Sequence, residues 1–83
     1  MTDYILDRRG NEIHLGDYVI TYHRTTDGIV HLDHIVACGV ATEFGAANST
    51  VMVKDCFGNK DCAYTDRAEK IDEGRYMLWR LEN

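Results

Sequence analysis

The sequence lacks proline altogether, has only three cysteines among its 83 residues and contains no long apolar run. Because 45% of the residues are hydrophobic and none is proline, a disordered chain, a collagen-like repeat and a proline-rich linker are excluded. No segment approaches the roughly 18 apolar residues that a membrane span needs, and the acidic opening residues do not resemble a signal peptide. We therefore expect residues 1–83 to fold as one cytoplasmic domain with a small core and no membrane contact.

The odd number of cysteines argues against a disulfide framework. Cys38, Cys56 and Cys62 lie in strand-like segments rather than in the loops of a small secreted protein. Cys56 and Cys62 would face each other across a hairpin if residues 58–60 form its loop, whereas a two-residue turn would offset them. We expect reduced thiols that pack as small apolar side chains.

Basic charge is also scarce, since nine Lys and Arg residues stand against 14 Asp and Glu residues. The net charge of −5 weighs against nucleic-acid binding, because Lys and Arg contacts to phosphates supply most non-specific affinity. The second half of the chain carries most of the bases, so a local basic face there stays an alternative. Another protein is the expected partner.

The chain does contain a series of apolar, β-branched segments separated by turn residues. Gly16 and Asp17 form a corner signal directly before an alternating apolar segment that begins at Tyr18. Gly28, after an aspartate, is a strong hairpin signal, and Gly39 inside a long strand-like segment predicts a bulge or a sharp bend. These features predict antiparallel strands over residues 4–7, 12–14, 18–24, 29–44, 50–54 and 62–71.

The last segment, residues 76–81, satisfies two patterns. Met77, Trp79 and Leu81 form an apolar face at a period of two residues, which favours a final strand after a glycine-containing turn at 72–75. A short C-terminal helical turn with Asp72 as its cap is the alternative, because it would place Met77, Leu78 and Leu81 on one side. The strand is the favoured interpretation.

Three segments together carry a family resemblance: residues 10–19, residues 34–43 and residues 50–53. Their pattern resembles the strand order of SH3-like small barrels, and most of all the KOW and Tudor branches of that group. In size and pattern the chain also resembles small accessory proteins encoded by tailed phages. The resemblance implies an all-β, SH3-like barrel of five or six antiparallel strands. KOW modules are usually basic, whereas this chain is acidic.

Catalytic and metal-binding signals are weak. His31, His34 and Cys38 lie close in sequence, and imidazole and thiolate groups are ligands that zinc prefers. However, no Cys-x-x-Cys pair exists, and two histidines three residues apart on a regular strand point to opposite faces. The sequence also lacks a nucleophile-elbow motif and a glycine-rich phosphate loop. We expect a protein that is not an enzyme and that has no cofactor and no metal.

The residues expected to contact a partner are aromatic and basic side chains near predicted turns, which are types enriched at interface hot spots. They are Tyr22, His23, Arg24, Phe57, Tyr64 and Trp79. The favoured hypothesis is a phage-derived accessory protein that binds a host factor and inhibits or redirects it. A homodimer through Trp79 or an open edge strand is a further expectation.

Two alternative functions stay open. The first is a nucleic-acid-associated, KOW-like module whose phosphate-facing residues are Arg67, Lys70, Arg75 and Arg80. The second is a metal- or small-ligand-sensing domain built on His31, His34 and Cys38.

Overall fold

The computed structural model describes residues 4–82, which form seven strands, one α-helix and two short 3₁₀ helices. Most of the regular structure is therefore β, as the sequence predicts. The strands are β1 (Tyr4–Leu6), β2 (Glu12–His14), β3 (Tyr18–Arg24), β4 (Val30–Phe44), β5 (Thr50–Asp55), β6 (Lys60–Tyr64) and β7 (Ala68–Ile71). The helix α1 spans Glu73–Glu82, and the 3₁₀ helices span Ala46–Asn48 and Thr65–Arg67.

The strands form two antiparallel sheets. β1 and β2 pair as a separate hairpin, and the other five strands form one sheet in the order β6-β5-β4-β3-β7. The predicted segment 62–71 is thus two strands divided by a 3₁₀ helix. Within residues 4–82 no backbone ladder joins the edge strands β6 and β7, so the sheet does not close into a hydrogen-bonded barrel.

The predicted Gly16–Asp17 corner exists and fastens the start of β3 to β4. Gly16 has a φ of 95°, a backbone conformation that glycine adopts without steric cost. The amide of His14 donates to the Asp17 carboxylate at 2.7 Å, and the amide of Ala41 donates to the Asp17 carbonyl at 2.9 Å. The corner therefore fixes where β3 begins to pair with β4.

Alternation along β3 places two apolar clusters on opposite faces of the sheet. Val19 belongs to the first cluster and its neighbour Ile20 to the second, since successive strand residues point to opposite faces. Each fully buried Val or Ile side chain contributes about 1.5–3 kcal/mol relative to an exposed one. The first cluster contains Ile5, Ile13, Val19, Ala41, Val51, Val53 and Ala68. The second contains Ile20, Tyr22, Cys38, Ile71 and Tyr76.

Gly39 marks a close approach of two strands rather than a bulge. It pairs with Val19 on one side and Asp55 on the other, and a Cβ atom at this position would overlap the Lys54 carbonyl. Only glycine fits there without a backbone shift. The bulges of β4 lie elsewhere, at Thr42 and within residues 32–36.

The C-terminal segment is a helix, so the favoured strand prediction is wrong. The Asp72 carboxylate accepts the Arg75 amide at 2.7 Å, which is an N-cap hydrogen bond. The ring of Tyr76 stacks on Tyr18 with centroids 4.2 Å apart, and this contact anchors the helix on the second cluster. Capping and a single aromatic anchor outweigh the period-two apolar pattern.

The β1–β2 turn is attached to the outer edge of β7. The buried Asp7 carboxylate accepts the backbone amides of Arg9 and Asn11, each at 2.8 Å. Its second oxygen accepts the Lys70 amide at 2.8 Å, and the Arg8 amide donates to the Ala68 carbonyl at 3.0 Å. One carboxylate therefore orders the turn and occupies an open strand edge.

Of the two arrangements that the sequence leaves open for Cys56 and Cys62, the one in which they face each other does not occur. Cys62 lies opposite Met52 in the β5–β6 ladder, whereas Cys56 lies in the turn that joins the two strands. Both thiols are exposed, and Cys38 is the buried one. Only Cys38 packs as the small apolar side chain that the sequence predicts for all three.

Candidate functional site

The central hairpin of β3 and β4 extends beyond the strands that flank it. β7 pairs only with residues 18–21 of β3, and β5 pairs only with residues 39–44 of β4. Residues 22–36, here called the hairpin arm, therefore have no backbone ladder on either outer side. The arm turns at a hydrogen-bonded tip in which the Thr25 amide donates to the Ile29 carbonyl at 2.9 Å.

A groove of about 350 Å³ lies between the hairpin arm, β6 and the second 3₁₀ helix. This groove combines basic, aromatic, apolar and acidic side chains on a single concave surface. Its lining residues are His23, Arg24, Val36, Asp61, Cys62, Tyr64 and Arg67.

Arg24 ties the arm to the opposite wall of the groove. Its guanidinium lies 5.4 Å from the centroid of the Tyr64 ring, which is a cation–π distance. Arg24 also donates to the Asp66 carboxylate at 2.8 Å. These exposed contacts hold an arginine and a tyrosine side by side where a partner could reach both.

Arg67 joins β3 to β6 across the floor of the groove. It donates to the Tyr22 carbonyl at 3.2 Å and to the Cys62 carbonyl at 2.9 Å. It also pairs with the Asp61 carboxylate at 3.3 Å, and Asp61 accepts the Thr21 hydroxyl at 2.8 Å. Side chains thus link β3 to β6, two strands that are not neighbours in the sheet.

The structure brings together three of the predicted contact residues, His23, Arg24 and Tyr64. Tyr22 lies next to them but is buried, and its hydroxyl donates to Glu69 at 2.8 Å. Burial raises the pKa of Tyr22, and the Glu69 carboxylate raises it further. Tyr22 is therefore a core residue of the second cluster and not an exposed contact residue.

Phe57 and Trp79 lie apart from this groove. Phe57 is exposed in the β5–β6 turn, and Trp79 is a half-buried residue of α1 that packs against the second cluster. Val36 lines the groove but is not predicted from the sequence, whereas Arg67, which also lines it, is predicted only for the phosphate-facing alternative. The alternation of apolar residues in the sequence does not predict that Val36 faces the groove, because the bulge in β4 changes the direction in which this side chain points.

The predicted basic residues are distributed over several elements, and each has a contact. Arg67 pairs with Asp61 in the groove, and Lys70 lies 3.4 Å from the Asp17 carboxylate. Arg75 lies 3.3 Å from Glu69, and the Arg80 guanidinium lies 5.9 Å from the centroid of the Tyr76 ring. Three of the four positive charges are thus opposed by a nearby carboxylate.

Cys38 does not belong with His31 and His34. It lies in the second apolar cluster opposite Ile20, and burial raises the pKa of its thiol to about 11. Both histidines instead approach His23, because the strand between them is not regular. Within residues 4–82, no group of three or more His, Cys, Asp or Glu side chains could hold a metal ion.

Comparisons with protein-family models, with curated proteins and with solved structures find no match. The described part of the chain also has no helix with the length and apolar character to cross a bilayer. The groove at the hairpin arm is therefore the feature on which a functional proposal can rest.

Proposed function

We propose that the protein is a non-catalytic protein-binding module whose partner contacts the groove between the hairpin arm and β6. The observation that carries the proposal is the convergence of His23, Arg24 and Tyr64 on this surface. Tyr and Arg are enriched among the residues that dominate interface energies. The arm adds exposed apolar side chains, Ile29, Leu32 and Val36, that are typical of contact surfaces.

The burial of Cys38 and the charge of the chain support a binding role. The raised pKa of Cys38 keeps its buried thiol protonated at neutral pH, whereas a nucleophilic cysteine needs a thiolate. The net charge of −5 favours a protein partner over a phosphate backbone. We extend the proposal to a phage-derived accessory protein that inhibits or redirects a host factor. The support for this extension is that the length of the chain and its sequence pattern resemble those of small phage accessory proteins.

We further propose that the fold is SH3-like. The support is the sheet order, in which the last strand β7 returns to pair with β3, the first strand of the five-stranded sheet. Side-chain contacts of Arg67 and Asp61 also bring the edge strand β6 against β3, as the curling of a sheet towards a barrel requires.

An affinity capture from nuclease-treated bacterial lysate, over a salt series, tests the function with two matched variants. Tyr64→Ala removes the aromatic wall of the groove, and Phe57→Ala removes an exposed aromatic outside it. We expect Tyr64→Ala to reduce retention of a stoichiometric protein partner at least tenfold, which corresponds to a hot-spot loss of about 1.4 kcal/mol. We expect Phe57→Ala to retain the partner like the unmodified chain.

Equal retention by both variants would show that the groove is not the contact surface. Recovery of nucleic acid that is released as salt rises would support instead the phosphate-facing alternative on Arg67, Lys70, Arg75 and Arg80. Self-association through Trp79 or a strand edge stays a prediction, and light scattering after size-exclusion chromatography tests it.

A further inference from the structure

Three arginine side chains converge on one buried carboxylate, that of Glu69 in β7. The Nη1 atoms of Arg8 and Arg9, both in the β1–β2 turn, lie 4.0 Å and 3.8 Å from Oε1 of Glu69. The Nη1 atom of Arg75, in the first turn of α1, lies 3.3 Å from Oε2 of the same carboxylate. The fold thus brings two adjacent arginines beside a third that is far away in sequence, and we call these three residues the arginine cluster.

Glu69 does not balance the charge of the arginine cluster. Only 8% of its side chain is exposed, and the Tyr22 hydroxyl donates to its Oε2 atom at 2.8 Å. One carboxylate carries at most one negative charge, whereas all three guanidinium groups are protonated at neutral pH. The neighbouring Asp7 carboxylate accepts three backbone amides, which disperse its charge. A positive surface therefore exists on a chain whose net charge is −5.

Hydrogen bonds hold the backbone at each arginine of the cluster. The Arg8 amide donates to a carbonyl of β7 at 3.0 Å, and the Arg9 amide donates to the Asp7 carboxylate at 2.8 Å. The Arg75 amide donates to the Asp72 carboxylate at 2.7 Å. Because the three backbone positions are already ordered, a ligand of the cluster has to immobilise only side chains, which lowers the entropic cost of binding.

The arginine cluster has donors that Glu69 does not use. The distances from Arg8 and Arg9 to Glu69 exceed the length of about 3.2 Å that a hydrogen bond reaches. The side chains of Arg9 and Arg75 are 64% and 52% exposed, and that of Arg8 is 28% exposed. Since the carboxylate is buried and the guanidinium groups are open to solvent, a second anion contacts the cluster from the solvent side.

We propose that Arg8, Arg9 and Arg75 bind the dianionic phosphate group of a phosphate monoester. Guanidinium groups donate pairs of parallel hydrogen bonds to phosphate oxygens. A phosphate monoester carries about −1.5 to −2 charge at pH 7, which matches the positive charge that Glu69 leaves unbalanced. A nucleic-acid phosphate carries a single charge and matches it less well. The site shares no residue with the groove at the hairpin arm.

NMR titration of isotope-labelled protein with methyl phosphate and with dimethyl phosphate, at neutral pH and constant ionic strength, tests the site. We expect methyl phosphate to shift the side-chain Nε–H signals of Arg8, Arg9 and Arg75. Dimethyl phosphate should bind about tenfold more weakly, because it lacks one negative charge.

Three variants locate the binding. We expect Arg9→Gln and Arg75→Gln each to weaken binding of methyl phosphate about tenfold, because each removes a charged donor from the phosphate. Arg80→Gln is the matched control, since it removes an exposed arginine of α1 that lies on the Tyr76 ring, outside the cluster. Its affinity should equal that of the unmodified chain. The amide spectrum of each variant verifies that the fold is retained, and Arg9→Gln alters only an exposed turn residue.

A peptide that carries one phosphoserine distinguishes the two sources of a phosphate monoester. Tighter binding of this peptide than of methyl phosphate assigns the site to a phosphorylated side chain of another protein, and equal binding assigns it to a free phosphorylated small molecule. No binding of methyl phosphate, equal affinity for dimethyl phosphate, or an equal loss in Arg80→Gln and Arg9→Gln would each overturn the proposal. These outcomes do not depend on the result of partner capture.

Discussion

The three cysteines have the same side chain, but their positions in the fold give Cys38 different properties from the other two. Cys56 and Cys62 are exposed on the β5–β6 hairpin, whereas Cys38 lies in the second apolar cluster with no exposed surface. Burial is the main cause that raises the pKa of its thiol to about 11, and the nearby Arg75 charge opposes the shift. The native state therefore resists ionisation of this one thiol.

This difference predicts a loss of stability at alkaline pH. The pKa of the Cys38 thiol in the unfolded chain is 9.0, so the unfolded state releases its proton first as pH rises. Stability from the neutral thiol is present below pH 9 and is lost as pH approaches 11. Urea unfolding at steps of pH should show a smaller decline over this window in Cys38→Ala.

Cys62→Ala is the control for this experiment, because it removes an exposed thiol from the same molecule. We expect its stability to follow the unmodified chain through the same pH range. An identical decline in Cys38→Ala would contradict the assigned cause. Above pH 10 all forms should continue to lose stability, because burial also raises the pKa of Tyr22 and Tyr76.

At the scale of elements, α1 depends on its first turn. Asp72 accepts the Arg75 amide at 2.7 Å, and the Tyr76 amide donates to the Asp72 carbonyl at 3.1 Å. Replacing Asp72 by Ala should destabilise the protein by about 1 kcal/mol, as loss of an N-cap usually does. Thermal or urea unfolding measures the difference, and Glu82→Ala, at the exposed end of the helix, should change it little.

The elements that the sequence predicts well are those with local chemical signals. The Gly16–Asp17 corner, the turn at Gly28 and the apolar alternation of β3 each rest on neighbouring residues, and the structure contains all three. α1 was predicted wrongly because six residues satisfy both periods, and the deciding contact is with Tyr18, far away in sequence. Local patterns cannot report such a partner.

The same reason explains which parts of the candidate site could be predicted. Arg24 and Tyr64 were identified by residue type near turns, which is the chemistry that interfaces favour. The approach of His34 to His23 depends on a bulge that no composition marks, and Arg67 contributes through backbone carbonyls of two strands. Register and cross-strand distance are properties of the assembled sheet.

At the scale of the whole molecule, Arg67 connects β3 to β6, two strands that are not neighbours in the sheet. Arg67→Met keeps much of the side-chain length but removes its hydrogen bonds to Tyr22, Cys62 and Asp61. We expect a loss of about 1–2 kcal/mol in the free energy of unfolding, since three acceptors, two of them in partly buried contacts, lose a charged donor. Hydrogen exchange should also increase in β6 more than in the central strand β4.

Lys60→Met is a suitable comparison, because it removes an exposed positive charge from β6, the strand whose Cys62 carbonyl Arg67 contacts. Its free energy of unfolding should stay within about 0.5 kcal/mol of the unmodified chain. Equal effects of the two substitutions would mean that lost charge, rather than the lost bridge between β3 and β6, determines the stability.

The Asp7 carboxylate on the outer edge of β7 has a consequence for colloidal behaviour. Unpaired strand edges recruit strands from other molecules and seed fibrils, and proteins suppress this by blocking the edge. Asp7 accepts the outward Lys70 amide, while Arg67 engages the Cys62 carbonyl on the opposite edge strand. A dimer built by strand addition at β6 or β7 therefore has to displace one of these side chains first.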